Sequence, residues 1–144
     1  MDTERVELLF RGLVLRGFLL SYTARASMLL SAFLFAVLHV NPWQLLPAFA
    51  FGLVLAWWFV HTRSLVPCLL GHALNNGIPV LLIAFPVADI PGYTGTPADG
   101  ATFQPAWLTL LGLALFGVGM SMTARQFRAT VAPTEAPGSP PPAP

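Results

Sequence analysis

The chain has 144 residues, 56% of them hydrophobic and only 9% charged. A soluble domain carries about 25% charged residues, so there are too few here to cover a water-facing surface. The net charge is +1, every basic residue is an arginine, and no basic cluster exists to hold a phosphate backbone, which excludes nucleic acid as a partner. The single cysteine, Cys68, excludes an internal disulfide and a cysteine-based zinc site, and its apolar neighbours mark it as a small packed hydrophobe.

Five helical segments follow one another along the chain, at about residues 4–22, 27–40, 44–61, 65–86 and 105–124. The first does not read as a cleaved signal peptide. Asp2 and Glu4 stand where a basic region belongs, and Arg11 and Arg16 interrupt the apolar run. Those arginines also suit a helix lying on the membrane, but ionisable groups inside an apolar segment more often face the interior of a bundle. The second segment is short. The third, fourth and fifth reach the roughly 20 residues that a span needs. On the third, Ala48, Gly52 and Ala56 recur every fourth residue, a spacing of small side chains that lets a neighbouring helix come close. A Gly-, Pro-, Asp- and Thr-rich loop is expected over 87–104, and a disordered tail over 129–144, where six prolines and almost no large apolar group remain. The expected fold is all-α: a polytopic transmembrane bundle of about four to five helices over 1–128, followed by that tail.

If the first segment spans, Arg25, Arg63, Arg125 and Arg128 share one side. The other side holds Asp2, Glu4, Asp89 and Asp99, with Arg5 as its only basic residue. Positive residues collect in the cytoplasm. The expectation is therefore a multi-pass protein of a bacterial inner membrane with its C-terminus in the cytoplasm. Trp43 and Trp107 at one level, and Trp57 and Trp58 at the other, form the matching aromatic belts.

Three polar pairs lie inside the apolar segments, each pair four residues apart and so on one helical face: Glu7 with Arg11, Phe35 with His39, and His72 with Asn76. A charge at the bilayer centre costs about 2.5–3.5 kcal/mol on insertion scales. Such groups on three helices point to a shared polar chamber rather than to isolated interhelical contacts. A carboxylate or neutral histidine can take a proton from water, and a histidine with an asparagine amide can stabilise an oxyanion. Two histidines and a carboxylate could also hold zinc. Without a His-Glu-x-x-His run that is the weaker reading, and no cofactor is expected.

These motifs resemble those of the CAAX prenyl protease and bacteriocin-processing family of intramembrane endopeptidases, known as CPBP or Abi. Its pattern is Glu-Glu-x-x-x-Arg, then Phe-x-x-x-His, then His-x-x-x-Asn. Phe35 to His39 and His72 to Asn76 complete the second and third motifs, and Thr62-Arg63-Ser64-Leu65-Val66-Pro67 looks like the family's approach to the third. Phe10-Arg11-Gly12 looks like the end of the first. Its first glutamate position, however, is Val6. Glu7 lies about 100° further round a helix and Glu4 about 200° back. The resemblance implies hydrolysis by an activated water. His39 would be the best remaining base, with Glu7 as a helper; His72 and Asn76 would stabilise the oxyanion, and Arg11 would hold Glu7. It implies a peptide or prenylated protein as substrate and membrane lipid as surroundings, and leaves the oligomeric state open. The family usually carries further spans ahead of its first motif, so a truncated or impaired copy is expected. A non-catalytic membrane pseudoprotease, serving as a binding or immunity scaffold, is the alternative. A transporter fragment ranks last, because no internal symmetry is visible.

Overall fold

The computed structural model describes residues 2–85 and 104–131. Every element among them is helical. Helix α1 covers residues 3–19 in three continuous stretches: α-helical Thr3–Glu7, π-helical Leu8–Leu15 and α-helical Arg16–Leu19. Helix α2 is Ala24–Val37, α3 is Pro42–Thr62, α4 is Val66–Ala84 and α5 is Ala106–Val131. The chain divides into two compact units, Met1–Val87 and Ala88–Pro144. Most of the expected 87–104 loop and the tail from residue 132 onward lie outside the described residues. Helix α5 continues past the expected end near 124, so residues 129–131, expected in the tail, are helical.

Three helices, α3, α4 and α5, are long and apolar enough to cross a membrane. At 1.5 Å per residue, the 21 residues of α3 extend about 31 Å, the thickness of a hydrocarbon core. Many large apolar side chains face outward, among them Leu13, Leu46, Val66, Leu70 and Leu74. Contiguous exposure of this kind is foreign to a water-facing monomer. The protein is an integral membrane protein.

Capping chemistry sets the turns of the first unit. Thr23 accepts from the Ala26 amide at the start of α2. Asn41 accepts from the Trp43 amide at the start of α3, with Pro42 in the first turn. Arg63 closes α3 in the left-handed region at φ 53°. The short connections make consecutive helices antiparallel neighbours. Helix α2 ends at Val37, short of the expected residue 40. Its last turn is closed instead by the His39 amide on the Ala36 carbonyl and the Val40 amide on the Val37 carbonyl.

The stripe of small residues on α3 is where α2 lies. Ala48, Gly52 and Ala56 are all buried, and a Cβ on Gly52 would stand 3.1 Å from Phe35 Cδ1 and 3.2 Å from the Ala32 backbone. A second close approach joins α3 to α4: a Cβ on Gly71 would meet Trp58 Cζ3 at 2.7 Å. Gly71→Ala should therefore push α4 outward and cost about 1–3 kcal/mol, as overpacking does. Thermal unfolding in detergent should show a lower midpoint. Gly77→Ala on the same helix meets nothing within 4 Å and should leave the midpoint unchanged or raise it.

Candidate active site

The π-helical stretch of α1 shapes the site. In a strict α-helix each four-residue step rotates a side chain about 40° further round. The wider i→i+5 turn reduces that drift, and Glu7, Arg11 and Leu15 all face inward and are fully buried. Arg11 Nη1 donates to Glu7 Oε1 at 3.2 Å, and Arg11 Nη2 donates to the Gly52 carbonyl at 3.1 Å. The guanidinium also lies 4.7 Å from the centre of the Phe35 ring.

Glu7 reaches across to α4 as well. His72 Nδ1 stands 2.6 Å from Glu7 Oε1, a short contact in which the ring nitrogen donates to the carboxylate oxygen. A carboxylate oriented in this way fixes the ring and the proton on Nδ1. His72 is buried, and its ring meets those of Phe35 and Phe51 edge-on at 5.6 and 5.9 Å. The hydrogen bonds of Glu7 run to Arg11 and His72.

His39 is held differently. The last carbonyls of a helix lack intrahelical donors, and His39 Nδ1 donates to one of them, that of Phe35, at 2.8 Å. A carbonyl oxygen only accepts, so Nδ1 carries the proton and Nε2 of the neutral ring keeps its lone pair. The spacing Phe35 to His39 thus has a local physical cause: the imidazole caps the carbonyl one turn back. Phe35 is the hub of the layer, its ring touching those of Phe10, His39 and His72 as well as Arg11.

A cavity of about 500 Å³ lies above this layer, within the range typical of ligand pockets. His39, His72 and Asn76 line it together, and so does Val6. Asn75 Nδ2 donates to Asn76 Oδ1, which leaves the Asn76 amide hydrogens free to donate. Glu7 and Arg11 lie behind the wall, supporting His72. Gln44 and Phe51 also line the cavity and went unnoticed in the sequence, because neither sits in a spaced polar pair. The Gly52 carbonyl is another partner without a side-chain signal, although the small residue itself was visible. Among the described residues no three of His, Cys, Asp and Glu gather as potential metal ligands: Glu7 meets His72, while His39 is bonded elsewhere.

The sequence model of one protein family, Type II CAAX prenyl endopeptidase Rce1-like, matches residues 7–78. The chain belongs to the type II CAAX prenyl endopeptidase family. The matched stretch begins one residue after Val6, includes Glu7, Arg11, His39, His72 and Asn76, and ends within α4. No curated protein and no solved structure matches the chain. Membership of the type II CAAX prenyl endopeptidases brings a protease family, with peptide or protein substrates met in a lipid environment, to a cavity whose walls are aromatic rings, imidazoles and amides.

Proposed function

We propose that the chain is an intramembrane endopeptidase that hydrolyses a peptide bond with a water activated by His39, at a rate reduced by Val6. The observation that carries this reading is that His39, His72 and Asn76 line one cavity while the Nδ1 of His39 is committed to the Phe35 carbonyl. Its Nε2 takes a proton from the attacking water. The water oxygen adds to the scissile carbonyl carbon, and the oxyanion accepts hydrogen bonds from the Asn76 amide and from His72 Nε2. The His72 role requires the proton on Nε2 as well as on Nδ1, the charge of that ring being balanced by Glu7. Glu7, Arg11 and a doubly protonated His72 then carry +1 together, complementary to the developing negative charge. Collapse of the intermediate breaks the C–N bond, and the leaving amine takes the proton from His39. Glu7 and Arg11 position His72 and do not touch substrate.

Replacing His72 or Asn76 by alanine should lower kcat by about 10²–10³-fold with a smaller change in KM, as loss of an oxyanion donor does. Peptide hydrolysis by the purified, reconstituted protein measures both constants. Equal kcat in Asn76→Ala and the native chain would remove Asn76 from this mechanism.

Val6 favours a second reading. An apolar side chain lines the cavity at the position where the family pattern carries a glutamate. On that reading the protein is a pseudoprotease that binds a peptide in the cavity without cleaving it, as a binding or immunity scaffold.

A further inference from the structure

One polar side chain on the cavity wall has no part in the mechanism above. Gln44 lines the cavity from the first turn of α3. Its backbone amide donates to the Asn41 carbonyl at 3.0 Å, but its carboxamide has no hydrogen-bond partner among the described residues. The other polar groups of the wall are engaged: His39 with the Phe35 carbonyl, His72 with Glu7, and Asn75 with Asn76. A carboxamide brings two donors and two lone pairs. Pro47, Ala48 and Phe51, its companions from α3 on the same wall, have no side-chain group to meet them.

Helix geometry sets the height of Gln44 above the reacting groups. The Phe51 and His72 rings touch at 5.9 Å, so these two residues share one level of the antiparallel pair α3 and α4. Going back along α3 from Phe51 to Gln44 rises about 10 Å, and going forward along α4 from His72 to Asn76 rises about 6 Å toward the same end. His39 stands one turn beyond Phe35, whose ring also meets His72, at 5.6 Å. A scissile carbonyl held between His72 and Asn76, under His39, therefore lies about 7 Å below Gln44. An extended chain advances about 3.3 Å per residue, so that gap corresponds to about two residues of substrate.

We infer that Gln44 is a substrate-binding residue that pairs with the peptide backbone about two residues from the scissile carbonyl. Its Oε1 accepts from the N–H of one substrate residue and its Nε2 donates to the C=O of the same residue, two groups that an extended chain turns to one side. Such a pair reads the backbone whatever the side chains are. It sets the register in which the scissile bond comes under His39. This rests on the endopeptidase reading and adds to it the conformation in which the substrate is held.

The test measures hydrolysis and binding on the full chain reconstituted in lipid, with fluorogenic peptides, prenylated and plain. Gln44→Met keeps the length and shape of the side chain and removes its amide. It should raise KM about tenfold and leave kcat within about twofold, as loss of hydrogen bonds made equally in ground and transition state does. Its thermal midpoint should match that of the native chain, since Gln44 is exposed and its carboxamide bonds nothing in the protein. The peptides are then remade with one backbone amide at a time replaced by an ester, which removes the N–H. One ester, about two residues from the cleaved bond, should raise KM for the native chain and have no further effect on Gln44→Met. An unchanged KM in Gln44→Met, or ester effects equal in both chains at every position, overturns the inference and leaves the endopeptidase reading intact. Fluorescence anisotropy of the same peptides covers a native chain that binds without cutting. That result overturns the endopeptidase reading, while the coupling between ester and variant is still read in Kd. A chain that neither binds nor cuts any of the peptides overturns both.

Discussion

Arg11→Met should destabilise the protein by about 3–5 kcal/mol, because it takes the guanidinium from the buried Glu7 carboxylate and leaves His72 as the one donor to it. Both side chains are fully buried, and Glu7 is held by two donors, Arg11 and His72. The pair is also incompletely satisfied: Glu7 Oε2 and Arg11 Nε have no hydrogen-bond partner among the described residues. Charged groups taken from water in that condition are retained at a cost, so removing both should be tolerated better than removing one. The double variant Glu7→Gln with Arg11→Met should recover most of the lost stability, since a glutamine oxygen still accepts from His72 Nδ1. Thermal unfolding in detergent would check this by comparing the two midpoints. A single variant as stable as the double would mean that the pair is not acting as a buried ion pair.

His39→Ala should reduce peptide hydrolysis by about 10²–10⁴-fold, the contribution typical of a positioned general base. The effect should fall on kcat, because the imidazole is bonded to the chain through Nδ1 and offers the cavity one nitrogen. Stability should change little by comparison with Arg11→Met, since His39 is exposed and makes its hydrogen bond within its own turn. The contrast separates a residue that moves a proton from one that holds the bundle together.

The helices were legible because long apolar runs bounded by Pro, Asn, Thr and Gly leave little choice of element in a chain so poor in charge. The four-residue recurrence of Ala48, Gly52 and Ala56 marked α3 as a place where some helix could come close, but that the partner is α2 shows only in the packed structure. The site was visible only as pairs within single helices. Which pair meets which depends on how helices pack, and the Glu7–His72 bond joins residues 65 positions apart. The π-helical turn of α1 has no compositional mark in Leu8–Leu15, yet it bears on how Glu7 and Arg11 come to share an inward face. The end of α2 was misjudged by three residues because apolar Leu38 and Val40 continue the hydrophobic run. The backbone nevertheless turns there, with Val40 at φ 51°. Gly71 carried no signal of its own, since the tightness of its contact with Trp58 exists only in the assembled pair of helices.

The central claim is that this cavity hydrolyses peptides with Val6 in place. The direct measurement is the cleavage of fluorogenic peptides, prenylated and plain, by the purified chain in lipid, beside Val6→Glu and His39→Ala. Val6 lines the same cavity as His39 and His72, so a glutamate there adds a carboxylate to the wall. The account predicts measurable cleavage by the native chain, faster cleavage by Val6→Glu, and a collapse to background in His39→Ala. A native chain silent on every peptide, with activity appearing only in Val6→Glu, would contradict it and leave a protease scaffold that binds without cutting.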